Sequence, residues 1–159
     1  MKVWRMIAHH EKPELAIRLA QKEGKLRMGW GRIGDLSKRQ ILVPNDITRL
    51  IQEYYPDSTN FAHGGASLYG FAKDMEIGDL VIVSTGRRRD AVMEVTGDYH
   101  WNPRGHSQLG DYQHERKARM TSHDAEDLWR QAGMRAAFGF NIRWTLVRCT
   151  PMLHGEFKI

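Results

Sequence analysis

Apolar positions in this chain follow two rhythms, and each rhythm marks out a set of elements. Helical spacing comes first. Leu15, Leu19 and Ala20 form a stripe behind Pro13, a residue suited to a first helical turn, and Gly24 supplies the stop. Ile47, Leu50, Ile51 and Tyr54 fall at i, i+3, i+4 and i+7 after Pro44-Asn45-Asp46, so a second helix opens there and ends at Tyr55-Pro56-Asp57-Ser58. Leu68, Phe71, Ala72 and Met75 repeat that spacing and predict a third helix over 66–75. A short fourth helix is predicted over 124–131.

The second rhythm is that of strands. Trp4-Arg5-Met6-Ile7-Ala8 reads as a first strand, and Leu80-Val81-Ile82-Val83, behind Gly78-Asp79, is the continuous apolar run of a buried one. A turn over 85–90 returns the chain into a strand over 91–95, which makes a hairpin with a basic tip. Further strands are predicted over 114–120 and 141–149, where Ile142, Trp144 and Leu146 alternate with Arg143, Thr145 and Val147. The segment holding Gly29, Gly31 and Gly34 reads as a glycine-rich turn. Strands with helices inserted between them, and no regular βαβ alternation, predict an α+β fold on a curved sheet or small barrel.

Composition adds bounds. A chain of 159 residues, 41% hydrophobic and 27% charged, fits a single domain over 1–159, and no repeat or linker divides it. No apolar run reaches the length of a membrane span, and Met1-Lys2-Val3-Trp4-Arg5 lacks a signal-peptide core. The lone Cys149 has no internal partner for a disulfide. A cytoplasmic protein without a membrane partner is expected. Charge is unevenly spread, with a net of +6 over 1–50, −4 over 51–86 and +3 over 87–159. Such polarity allows a basic face that attracts phosphate, although many housekeeping enzymes are as basic.

Several segments, in order, resemble one family. They are Gly29-Trp30-Gly31-Arg32-Ile33-Gly34-Asp35-Leu36, then Ser67-Leu68-Tyr69-Gly70-Phe71-Ala72-Lys73-Asp74-Met75, then Ile77-Gly78-Asp79-Leu80-Val81. Arg87-Arg88-Arg89, Glu94-Val95-Thr96-Gly97-Asp98-Tyr99 and Tyr112-Gln113-His114-Glu115-Arg116-Lys117 follow. Over residues 4–120 the chain resembles EVE-type domains of the PUA superfamily, and more closely the N-terminal specificity modules of McrB-type and Mrr-type restriction systems. The resemblance implies a PUA-like pseudo-barrel with peripheral helices. It also implies a pocket for a flipped or unpaired base, in some members a methylated one, and a nuclease or motor subunit as partner. The chain departs from the pattern at Tyr69 and Met120, where the related modules often carry Trp.

On that reading the expected base pocket comprises Trp30 between Gly29 and Gly31, with Tyr69, Tyr99, Trp101 and Tyr112 as aromatic walls. Ser67, Asp98 and Asn60 are candidates to hydrogen-bond a base edge. Flanking glycines let backbone approach a ligand closely, and an indole offers a stacking face worth about 1–3 kcal/mol per base. The same indole could equally plug a core, and the other aromatics are also ordinary sheet residues. Trp4 and Trp144, within predicted strands, are expected in the core. For phosphate the candidates are Arg32, Arg87, Arg88, Arg89, Arg116, Lys117 and Arg119. Neutralising about three phosphates lowers affinity some tens-fold between 50 and 200 mM salt. Asp35 and Asp79, following glycines, suit turn geometry.

Enzyme motifs are missing from the sequence. The eight histidines lack metal-ligand spacing, and there is no phosphate loop, nucleophile elbow or zinc-deaminase motif. Cys149 on a strand is expected to be a small core residue. The leading expectation is therefore a nucleic-acid-binding module, DNA before RNA, without cofactor or metal. Two other readings stay open: a hydrolase of modified nucleosides using Asp98, His100 or His114, and an RNA-binding protein of the same fold.

Overall fold

The computed structural model describes residues 1–132 and 144–149, and shows an α+β fold on one six-stranded mixed sheet. The elements run β1 (Val3–Ile7), α1 (Pro13–Glu23), β2 (Lys25–Met28), α2 (Pro44–Tyr54) and α3 (Phe61–Tyr69). They continue with β3 (Leu80–Ser84), β4 (Arg89–Trp101), β5 (His114–Met120), α4 (Ala125–Gln131) and β6 (Leu146–Cys149). Strand order is β2-β5-β4-β3-β1-β6, with β1 and β3 parallel and every other neighbouring pair antiparallel. Among the described residues β2 and β6 are the edges, so the sheet is not closed into a barrel. No helix among the described residues is long and apolar enough to cross a membrane.

Period-two alternation assigns each strand residue to one of two cores. Trp4, Met6, Val81, Val83, Met93 and Val95 face one side, where α1 supplies Ala16 and Ile17, α2 supplies Ile47 and Ile51, and Leu68 and Phe71 complete the packing. Val3, Leu80, Ile82, Val92 and Cys149 face the other side and are covered by Ala125, Leu128 and Trp129 of α4. The unbroken apolar run of β3 follows from this, because the strand is buried on both faces. Cys149 is buried, which pushes its thiol up to about 12. Asp79 holds the start of β3 in place. Burial alone would raise its pKa, yet N–H donors from Glu76, Lys2 and the Trp4 indole bring it below the ordinary carboxylate value.

The structure redraws several sequence expectations. The third helix starts earlier, at Phe61, and passes at Gly70 into a π-helical turn through Asp74. Its Gly64-Gly65 pair resembles a loop in sequence, but here it admits close packing. A Cβ at Gly64 would come within 2.8 Å of the Trp30 indole, and one at Gly65 within 2.9 Å of the Thr48 backbone nitrogen. β2 falls in a stretch expected to lead only into a turn, and β4 runs from 89 to 101 rather than over 91–95. The last strand covers only Leu146–Cys149, with 141–143 of the expected span lying outside the described residues. Trp144, expected in the core, is instead exposed and stacks on His63, with ring centroids 5.8 Å apart.

The Gly65 contact predicts a test. Gly65→Ala improves helix propensity by up to about 1 kcal/mol, but drives a methyl into the α2 backbone, which cannot yield as a side-chain tip can. Urea denaturation is expected to show a net loss of about 1–3 kcal/mol. An unchanged or stabilised variant would mean that α2 and α3 do not pack this tightly.

Candidate functional site

Five irregular segments and the first turn of α3 converge beside the sheet and line a cavity of about 420 Å³, open to solvent. The corner after β1 brings His10, and the turn after β2 brings Gly29, Trp30 and Arg32. The segment between α2 and α3 brings Tyr55, Ser58 and Asn60, the first turn of α3 brings His63, and the loop before β5 brings Asp111 and Tyr112. Thr145 closes the ring beside β6.

Trp30 is the residue on which this geometry turns. It is half-buried, and it is the one non-glycine residue with positive φ, 62°, among the described residues. A left-handed conformation is unfavourable for a bulky side chain by about 1–2 kcal/mol, so other contacts must hold it. His114 does so from beneath. Its Nε2 donates to the Trp30 carbonyl at 3.0 Å, and Nδ1 of the neutral ring accepts from the Tyr99 hydroxyl at 2.6 Å. That hydroxyl in turn accepts the Leu36 N–H at 3.1 Å. Burial pushes His114 down to about 4, so near neutral pH the ring carries no charge. Trp101 braces the same turn, donating from Nε1 to the Gly31 carbonyl at 3.2 Å. Gly31 must be small, because Asp111 and Gln113 lie against its Cα.

The opposite wall is built from tyrosines whose hydroxyls are engaged. Tyr55 donates to Asp111 Oδ2 at 2.5 Å and accepts the Arg32 N–H at 2.9 Å, while the Arg32 guanidinium lies 4.0 Å above the Tyr55 ring. Burial, followed by the bond to Asp111, pushes Tyr55 up to about 12. Tyr112, also pushed to about 12 by burial, accepts the His10 N–H at 3.0 Å and stacks on His9 with centroids 4.0 Å apart. His9 is buried, which lowers its pKa, and its Nδ1 accepts the N–H groups of Glu11 and Lys12 at the start of α1. The Asn60 side-chain amide makes no hydrogen bond among the described residues.

The expected pocket residues therefore divide. Trp30, Gly29 and Tyr112 line the cavity, with Arg32 at its rim and Gly31 supporting the turn. Tyr99 and Trp101 lie behind the turn and hold it, rather than facing a ligand. Ser67 is buried, its Oγ accepting the Leu146 N–H, and Tyr69 donates to the Leu42 carbonyl, so neither lines the cavity. Asp98 lies in a separate cavity of about 520 Å³ with Lys25, His100, Glu115 and Lys117. Of the three residues named for a hydrolase, Asp98 and His100 line this second cavity, whereas His114 lies beneath the Trp30 turn and lines neither.

The phosphate set also divides. Arg116 is buried and donates to the carbonyls of Phe71, Met75 and Gly97, closing the end of the π-turn, so it is not available to a phosphate. Arg89 pairs with Glu126 and lies over Trp129, while Arg88 pairs with Glu14 and Asp90, and Arg119 with Glu94. Lys117 lies at the other cavity. Arg32 and Arg87 are the exposed arginines of this set without a carboxylate partner among the described residues. His10, Tyr55, His63 and Asp111 were missed as site residues. Nothing local in the sequence set them apart.

Fold and cavity together define a mixed-sheet α+β domain with an aromatic groove open to solvent. The chain belongs to the family described as domain of unknown function DUF8426, which matches residues 4–132. No curated protein and no solved structure matches it.

The buried imidazole predicts a pH dependence. Between pH 6.5 and 4 the unfolded chain takes up a proton at His114 and the folded chain does not, so stability falls as pH falls, by about 3 kcal/mol across the window. His9 and His63, also lowered by burial, act in the same direction. Denaturation of the native chain and of His114→Gln at pH 7 and pH 4 isolates the His114 share. The variant is expected to show a shallower decline, and parallel curves would exclude His114 as the group.

Proposed function

We propose that this domain binds nucleic acid and takes one unstacked base against Trp30, reading it without chemistry of its own. The observation that carries the reading is a half-exposed indole locked in a left-handed turn beside an open cavity of about 420 Å³. A rigid flat ring is a stacking platform for any base, and its fixed position means that little freedom is lost on binding. Tyr55 and Tyr112 add further ring surface, Asp111 offers an acceptor, and the Asn60 amide offers donor and acceptor to a base edge. Arg32 stands at the rim, where a phosphate of the extruded nucleotide would lie.

The resemblance to EVE-type domains adds a direction: DNA before RNA, a modified base, and a nuclease or motor subunit as partner. A PUA-like relationship is compatible with the six-stranded sheet and belongs to the same proposal. Preference for a methylated base needs more than burial of the methyl, which adds only about 0.8 kcal/mol, or about fourfold. A larger preference requires that the aromatic walls leave an empty slot when the methyl is missing.

Anisotropy titrations of labelled single-stranded DNA and RNA, with and without methylated bases, test the reading. Trp30→Ala and Trp30→Gly are expected to weaken binding about 5- to 150-fold, the equivalent of one lost stack. The glycine variant also relieves the left-handed strain, which separates loss of the ring from loss of the fold. If Arg32 and Arg87 each neutralise one phosphate, single-strand affinity should fall about sevenfold between 50 and 200 mM salt. Unchanged affinity in both Trp30 variants would overturn the proposal.

A further inference from the structure

The Trp30 cavity does not end at its far wall. His10, Asn60, His63, Tyr112 and Thr145 line it, and the same five residues line an adjoining hollow of about 330 Å³. The second hollow is walled by Ile7 and Pro13 and reaches Thr85 and Gly86 at the base of the β3–β4 turn. Together the two lobes form one groove with a polar waist, with Arg32 lining the first lobe and Gly86, the residue before the exposed Arg87, lining the second.

We infer that this groove is a two-nucleotide site, whose ligand is a single-stranded dinucleotide step rather than a lone nucleoside. The inference rests on the base-binding proposal and extends it. One base stacks on Trp30 in the first lobe. The linking phosphate crosses the waist, where the Thr145 hydroxyl and His63 Nε2 bond each other at 3.5 Å, a long contact that a phosphate oxygen would replace. The neighbouring nucleoside lies against Ile7 and Pro13, the apolar side chains of the second lobe. Its outgoing phosphate meets Arg87, whose side chain has no carboxylate partner among the described residues. The hairpin tip thus takes part as an exit clamp, with Arg87 the arginine in play, since Arg88 and Arg89 are tied to Glu14 and Glu126.

The test holds the phosphate count constant. Calorimetric titration of the full chain compares the four deoxynucleoside 3′- and 5′-monophosphates with the corresponding homodinucleoside monophosphates, each carrying one phosphate. The dinucleoside form of a bound base is expected to bind at least about tenfold more tightly. Ile7→Trp, which fills the second lobe, should abolish that gain while leaving mononucleotide affinity unchanged, and mononucleotide binding reports that the variant is folded. Arg87→Ala should leave both of these ligands unaffected but weaken a trinucleotide severalfold. Equal affinity for mono- and dinucleotides, or a dinucleotide gain that survives Ile7→Trp, would overturn the two-lobe site and leave the base pocket standing. Failure of every ligand to bind would instead remove the base pocket on which the inference rests.

Discussion

A neutral imidazole beneath a left-handed tryptophan holds this molecule's groove in shape. The Trp30 turn is unfavourable by itself, and the neutral His114 ring supports it, with Nε2 donating upward and Nδ1 accepting from Tyr99. A second proton would turn the acceptor into a donor facing a hydroxyl that already accepts from Leu36. One buried ring therefore links β5, β4 and two successive turns of the 30s segment. Deep burial is what makes the arrangement possible, because it keeps the ring uncharged.

The same economy governs the buried charges, which hold secondary structure together where it becomes irregular. Arg116 gathers carbonyls from the π-turn and from Gly97, in the stretch where β4 slips its register against β5 between Val95 and Tyr99. Three residues of β4 stand there against one of β5, so the ladder leaves backbone acceptors to be satisfied by a side chain. Arg27 and Glu115 do similar work across β2 and β5, with Glu23 bonded to the same guanidinium. A guanidinium with several fixed acceptors serves such places better than an ammonium group would. Basic residues in these strands thus serve the fold, and the positive charge left for a ligand is smaller than the composition suggests.

These two facts explain how far the sequence could be read. α1, α2 and the core of the sheet were legible because their signals are periodic: the stripe of Ile47, Leu50, Ile51 and Tyr54, and the run from Leu80 to Val83. The start of α3 was not, because Gly64 and Gly65 have loop chemistry locally and are required by contacts from Trp30 and Thr48, distant in sequence. In the candidate site, Trp30 stood out through its glycine neighbours and Tyr112 through the aromatic group around it. Tyr55, His63 and Asp111 carry no local signal, since only folding brings the end of α2, the start of α3 and the loop before β5 together. Arg116 was misread for the converse reason: nothing local distinguishes a buried arginine from a solvated one.

Chemical selectivity in the groove follows from which polar atoms the fold has already used. The Tyr55 hydroxyl gives to Asp111 and receives from Arg32, and that of Tyr112 receives from the His10 backbone and bonds the His10 ring. Both phenols therefore present ring faces to a ligand, with their hydroxyls committed to protein partners. Asp111 keeps one carboxylate oxygen free of side-chain bonds, because its main-chain carbonyl takes the Gly31 N–H and only Oδ2 takes Tyr55. On the proposed reading, the polar atoms left to discriminate among ligands include that oxygen, the Asn60 amide and the His63 Nδ1, since His63 Nε2 is bonded to Thr145. On that same reading, flat surfaces set affinity for any planar ring, and these groups, held at the start of α3 and in the loop before β5, set which ring is accepted.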